Sequence, residues 1–125
     1  MAKIIYTKNA PNPVGPYSQA ILTGGTIYCS GQIPLDPATA AVVGDTVKDQ
    51  TEMVIQNILA VLSEAGMGFD NVVKTTCFLK SMDDFAAFNG VYEKYFVSKP
   101  ARSCVEVSRL PKDVLVEIEV TAADS

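Results

Sequence analysis

The chain contains no histidine. That absence removes Ser-His and Cys-His nucleophilic machinery together with the imidazole ligands on which many metal sites depend. Cysteine is scarce and badly spaced for pairing. Cys29, Cys77 and Cys104 are odd in number, far apart, and none belongs to a C-x-x-C pair, so neither a zinc site nor a redox dithiol is indicated. No apolar run approaches the roughly 18–20 residues that a membrane span needs. Met1-Ala2-Lys3-Ile4-Ile5 has neither the apolar core nor the cleavage pattern of a signal peptide, so a soluble, cytoplasmic chain is expected, with no membrane partner. Chemistry here must run on Arg, Glu or Asp, Tyr, Cys, Ser, Lys and backbone groups, with no metal or cofactor implied.

A length of 125 residues, 48% of them hydrophobic and 19% charged, suits one packed domain over 1–125 rather than a disordered chain. The net charge of −4 repels a phosphate backbone and argues against a nucleic-acid partner. Lys94, Lys99, Arg102, Arg109 and Lys112 cluster in one stretch, which reads as a solvated rim.

Ile4–Thr7 reads as a strand stopped by the Pro-rich segment 9–16. Residues 17–22 and 26–31 read as two strands joined at Gly24-Gly25. From Thr46 the period becomes helical. Thr46-x-x-Asp49 resembles a capping box, Val47, Val54, Ile58, Val61, Leu62 and Ala65 share one face, and Gly66 suits the C-terminal end, giving a helix over 46–65. Val72–Leu79 is a β-branched strand. Ser81-x-x-Asp84 opens a second helix whose stripe is Phe85, Phe88, Tyr92 and Tyr95 or Phe96. Two last strands, about 102–108 and 114–121, flank Leu110-Pro111-Lys112-Asp113. The order implies an α+β two-layer sandwich, with two helices on one face of a five- or six-stranded sheet.

Alternation in the final strand puts Val114, Val116, Ile118 and Val120 toward the helices and Glu117 and Glu119 away from them. In the strand before it, Ser103, Val105 and Val107 lean apolar, leaving Arg102, Cys104, Glu106 and Ser108 on the other side. If these two strands pair as neighbours, Arg102 and Cys104 sit beside Glu117 and Glu119 on the face without helices, where a second subunit would cover them. Arg102 is then either a structural ion pair with Glu117 or Glu119, or a planar fork for a ligand's carboxylate. Glu117 is either a solvated strand charge or a general base, and Cys104 reads as a small filler.

Several segments in order carry a resemblance: Asn9-Ala10-Pro11, Gly15-Pro16-Tyr17-Ser18-Gln19, Ser30-Gly31-Gln32-Ile33-Pro34 and Val73-Lys74-Thr75-Thr76. They continue with Asp84-Phe85 through Asn89 and Tyr92, Pro100 to Val107, and Leu110-Pro111-Lys112-Asp113 before Val116-Glu117-Ile118-Glu119. Taken together the chain resembles the RidA/YjgF family of enamine/imine deaminases. The resemblance implies a chorismate-mutase-like fold and a homotrimer with sites between subunits. It also implies hydrolysis of small 2-imino acids, such as 2-iminobutanoate and 2-iminopropanoate, to 2-keto acids and ammonia. By the same resemblance Arg102 grips the substrate carboxylate and Glu117 positions or activates water, while Tyr17, Ser30, Gly31, Asn89 and Cys104 line the cleft. The segment 96–99 is shorter than in many relatives and bears on substrate size. A non-catalytic trimer that binds 2-keto acids as a signal is the alternative.

Overall fold

The computed structural model describes residues 1–124. Six strands form one sheet: β1 (Lys3–Ile5), β2 (Ala20–Thr23), β3 (Thr26–Cys29), β4 (Val72–Leu79), β5 (Ala101–Glu106) and β6 (Val116–Ala123). Two helices, α1 (Val47–Glu64) and α2 (Phe85–Tyr95), pack on one of its faces, as the sequence pattern requires. The strand order is β1-β2-β3-β6-β4-β5. All neighbours are antiparallel except β4 and β5, which run parallel.

Local chemistry sets the boundaries. Gly24 and Gly25 both have positive φ, 57° and 80°, as the tight β2–β3 hairpin requires. Thr46 caps α1, its Oγ1 accepting from the Asp49 N–H at 3.2 Å. At the far end Gly66, at φ 73°, lets its own N–H reach Ser63 O and the Met67 N–H reach Leu62 O, a paired termination that uses two orphan carbonyls. Ser81 caps a short 3₁₀ turn, Met82–Asp84, that leads directly into α2. The core lies between helices and sheet, with Val54, Ile55, Ile58 and Leu62 of α1 and Phe88 of α2 against Ile27, Leu79, Val116 and Ile118. Each such side chain contributes roughly 1.5–3 kcal/mol by leaving water. No helix among the described residues is long and apolar enough to cross a membrane.

The expected pairing of the last two strands does not occur. β6 inserts between β3 and β4, and β5 lies on the other side of β4 as an edge strand. The physical reason is the β4-α2-β5 unit: a strand that returns through a helix lies parallel beside its predecessor. The Leu110–Asp113 connection then carries the chain past β4 to the middle of the sheet. Lys112 and Asp113 take left-handed backbone there, both at φ 55°.

Candidate functional site

The β4–β5 register places Arg102 opposite Thr75, Cys104 opposite Cys77 and Glu106 opposite Leu79. Thr75, Cys77 and Leu79 are buried under the helices, so Arg102, Cys104 and Glu106 lie on the helix-covered side. Glu117 pairs with Phe78 and Glu119 with Thr76, on the opposite side. The expected gathering of Arg102 and Cys104 beside Glu117 and Glu119 is therefore corrected: these groups occupy opposite faces. Along the sheet, Arg102 and Glu117 are two strands and three residues apart, roughly 14 Å. Apolar alternation misled because β5 is an edge strand, largely exposed on both sides, and Val105 points to the uncovered face.

One cluster surrounds Arg102. Its Nη1 donates to Asn89 Oδ1 at 2.7 Å. The guanidinium carbon sits 4.8 Å from the centre of the Tyr92 ring and 5.6 Å from that of Phe85. Phe85, Asn89 and Tyr92 are spaced i, i+4, i+7 on α2, so one helical stripe holds the arginine by a hydrogen bond and two ring faces. The Tyr92 hydroxyl is anchored in turn against the buried Thr75 hydroxyl at 2.8 Å. Among the described residues Arg102 has no carboxylate partner; the two ion pairs are Lys80–Asp113 and Lys94–Glu52. Within the chain, then, no ion pair to Glu117 or Glu119 holds Arg102. A groove of about 410 Å³ opens beside it, lined by Asn89, Tyr92, Phe96, Lys99 and Pro100. The short segment 96–99 closes into a turn there, Lys99 N–H bonding Phe96 O with Lys99 at φ 56°. Cys104 lies two residues along from Arg102 on the same side, partly buried. Burial raises its thiol above the ordinary range, and nearby Arg102 opposes that.

A second cluster surrounds Glu117. Tyr17, Ser30, Gly31, Ile33 and Pro111 line a pocket of about 340 Å³ with it. Gly31 leaves room for the carboxylate: a methyl group at that position would overlap Glu117 Oε2 and displace it. Ser30 is fixed by its Oγ donating to Ser18 O at 2.6 Å and its N–H to Gln19 O at 2.9 Å. The Tyr17 hydroxyl accepts from the Val14 N–H at 3.3 Å. Glu117 is half-buried, and its carboxyl is raised above the ordinary carboxylate range, first by burial and then by Glu119. Because Arg102 of the same chain lies on the other face, it does not supply the opposing influence that neighbouring strands would have given.

The structure thus unites Tyr17, Ser30, Gly31 and Glu117 in one place and Asn89, Arg102 and Cys104 in another. Sequence reasoning missed the support beneath both. Gln19 is buried, accepts from the Thr7 N–H at 2.7 Å and donates to Thr7 O and Pro11 O, pinning the loop that carries Tyr17. Phe85 and Tyr92, read only as core stripe, orient Arg102. Their spacing from Asn89 was the available signal. Among the described residues no cluster of three or more His, Cys, Asp or Glu could hold a metal ion.

The arrangement has close counterparts. Residues 7–124 match the family model described as Endoribonuclease L-PSP. A RutC family protein of Pyrococcus horikoshii is 55% identical over 123 residues, covering 98% of each chain. The 2-iminobutanoate/2-iminopropanoate deaminase of Salmonella typhimurium is 48% identical, again over 98% of each. The crystal structure of the Escherichia coli YjgF gene product superposes with a TM-score of 0.93 at 45% identity, covering 98% of this chain and 99% of that one. The fold and the sequence together place this chain in the Endoribonuclease L-PSP (RidA/YjgF) family.

Proposed function

We propose that the protein hydrolyses small 2-imino acids and their enamine tautomers to 2-keto acids and ammonia, in clefts formed between copies of the chain in a homotrimer. The observation that carries the reading is the state of Arg102: oriented by Asn89 and two aromatic rings, yet without a carboxylate of its own. A fork held in that way is matched to a ligand's carboxylate, which it grips bidentately. Likeness to the Salmonella deaminase supplies the reaction class.

Arg102 and Glu117 on opposite faces cannot both touch one small molecule within a chain. A second copy seated on the uncovered face would supply the missing half, and that face presents apolar groups for it: Ile4, Tyr28 and Val105 are 67%, 53% and 43% exposed. In such a cleft Arg102 of one copy holds the carboxylate while Glu117 of its neighbour takes a proton from water. The water oxygen bonds to the imine carbon, the carbinolamine collapses, and the nitrogen leaves as ammonia, its last proton returned through the same carboxyl. Base help of this kind is worth roughly 10²–10⁴-fold, and holding water beside an already electrophilic imine adds a proximity advantage. The histidine-free composition and net negative charge suit this chemistry better than RNA cleavage.

The test is imine loss. An amino-acid oxidase generates 2-iminobutanoate or 2-iminopropanoate in situ, and semicarbazide traps what remains. Faster loss with wild type than with Arg102→Ala supports the reading. Equal rates for the two would refute it, and tight 2-keto-acid binding without turnover would favour a ligand-binding role.

A further inference from the structure

Three cysteines far apart in sequence give no sign of pairing, yet the fold sets two of them side by side. Cys77 of β4 and Cys104 of β5 are direct partners in the parallel register, and both point to the helix side. Cys77 Sγ donates to Thr75 Oγ1 at 3.9 Å. Both are reduced. Directly paired strand neighbours stand about 4.8 Å apart at Cα, inside the roughly 4.4–6.8 Å that a disulfide spans. The two differ in access: Cys77 is fully buried, whereas Cys104 is partly exposed two residues from Arg102.

We propose that Cys104 and Cys77 form an oxidisable dithiol, in which Cys104 meets a small hydroperoxide and Cys77 resolves it to a disulfide. In the first step the Cys104 thiolate attacks the peroxide O–O bond, giving a sulfenic acid and releasing the alcohol, or water from hydrogen peroxide. The Cys77 sulfur then displaces hydroxide from that sulfenic acid, the S–S bond forms, and a second water leaves with the Cys77 proton. Two thiols are oxidised by two electrons, and one peroxide is reduced. Burial keeps both thiols mostly protonated, so the reaction is slow and belongs to oxidant excess rather than sensitive detection. A bridge between paired parallel strands departs from relaxed disulfide geometry, which makes it readily reducible. Because the preferred Cα separation of a disulfide is about 5.5–6 Å, it also pushes β5 away from β4 beside Arg102 and so disturbs the grip on the substrate carboxylate.

The loss of activity rests on the deaminase reading; the bridge does not, and the two are read separately. Assembled wild-type protein is treated with excess hydrogen peroxide, quenched, denatured, alkylated, and mapped by mass spectrometry without reduction. The expected product is one peptide pair joined through Cys77 and Cys104, with Cys29 still alkylated, reversed by dithiothreitol. In Cys77→Ala protein, which should retain basal turnover, Cys104 should instead accumulate oxygen adducts. Wild-type Cys104 carrying oxygen adducts while Cys77 stays alkylated would overturn the proposal, as would a Cys104–Cys104 link between copies or three intact thiols. Imine turnover should fall several-fold in step with the bridge and return on reduction. Unchanged turnover at full bridging would refute the effect on the Arg102 site. Absence of turnover in reduced wild type would count against the deaminase reading alone, with the bridge still judged by mass.

Discussion

Mixing Arg102→Ala with Glu117→Gln protein should restore activity that neither variant has alone. Each substitution removes one half of the proposed cleft. Arg102→Ala deletes at least two charge-assisted hydrogen bonds to a carboxylate, each worth about 1.5–3 kcal/mol, so kcat/KM should fall on the order of 10²–10⁴-fold. Glu117→Gln is nearly isosteric and cannot accept the water's proton, a loss of similar size. The two residues face opposite sides of the sheet, so no single chain completes a site. If each cleft takes Arg102 from one copy and Glu117 from the next, trimers re-formed at random from equal amounts have about a quarter of their clefts intact. The assay is 2-iminopropanoate loss with the semicarbazide trap, before and after denaturing and refolding the two variants together. Recovery to about a quarter of the wild-type rate is the expected result. Activity no higher than the mean of the separate variants, in trimers shown to be mixed, would refute a site shared between copies.

Gly31→Ala should leave melting near wild type while lowering kcat/KM by about 10²-fold, since the added methyl displaces the Glu117 carboxylate it would overlap; full activity would mean that Glu117 is not held where it must act. Asn89→Ala removes the 2.7 Å bond that aims Arg102, and kcat/KM should drop by about tenfold with the folded state intact by circular dichroism. Glu117 gives a pH dependence with a definite sign. Its carboxyl is raised in the fold, so protonation favours folding; that contribution is complete below about pH 4.3 and is lost as pH rises through the elevated value. Glu117→Gln is neutral throughout and should therefore melt above wild type at neutral pH and level with it in acid, as scanning calorimetry at several pH values would show. A wild type that is the more stable protein at neutrality would mean that a neighbouring cation already compensates Glu117 in the assembly.

Much of the fold follows from local rules that act within a few residues. The 3.6-residue period of Val47 to Leu62, the Thr46 cap and the Gly66 ending define α1 because each depends on contacts along the chain itself. The Gly24-Gly25 turn is equally local. The Val114, Val116, Ile118 and Val120 alternation correctly sends Glu117 away from the helices, because a central strand has one covered face and a period of two. The motif segments pointed to the family, and the candidate site residues came with that resemblance.

What the sequence could not decide is which strand lies beside which. Nothing local distinguishes a β5–β6 hairpin from a β5 that docks parallel on β4 with β6 inserted elsewhere, because pairing is settled by the chirality of the helical crossover and by burial of β6 at the sheet centre. That one choice moves Arg102 from the face of Glu117 to the side of α2, where Asn89 and Tyr92 orient it, and sets Cys104 against Cys77. The residues and their chemistry were determined by the sequence alone. Their grouping into two clusters on opposite faces was decided by tertiary structure, since contacts between segments far apart in the chain leave no period or spacing to read.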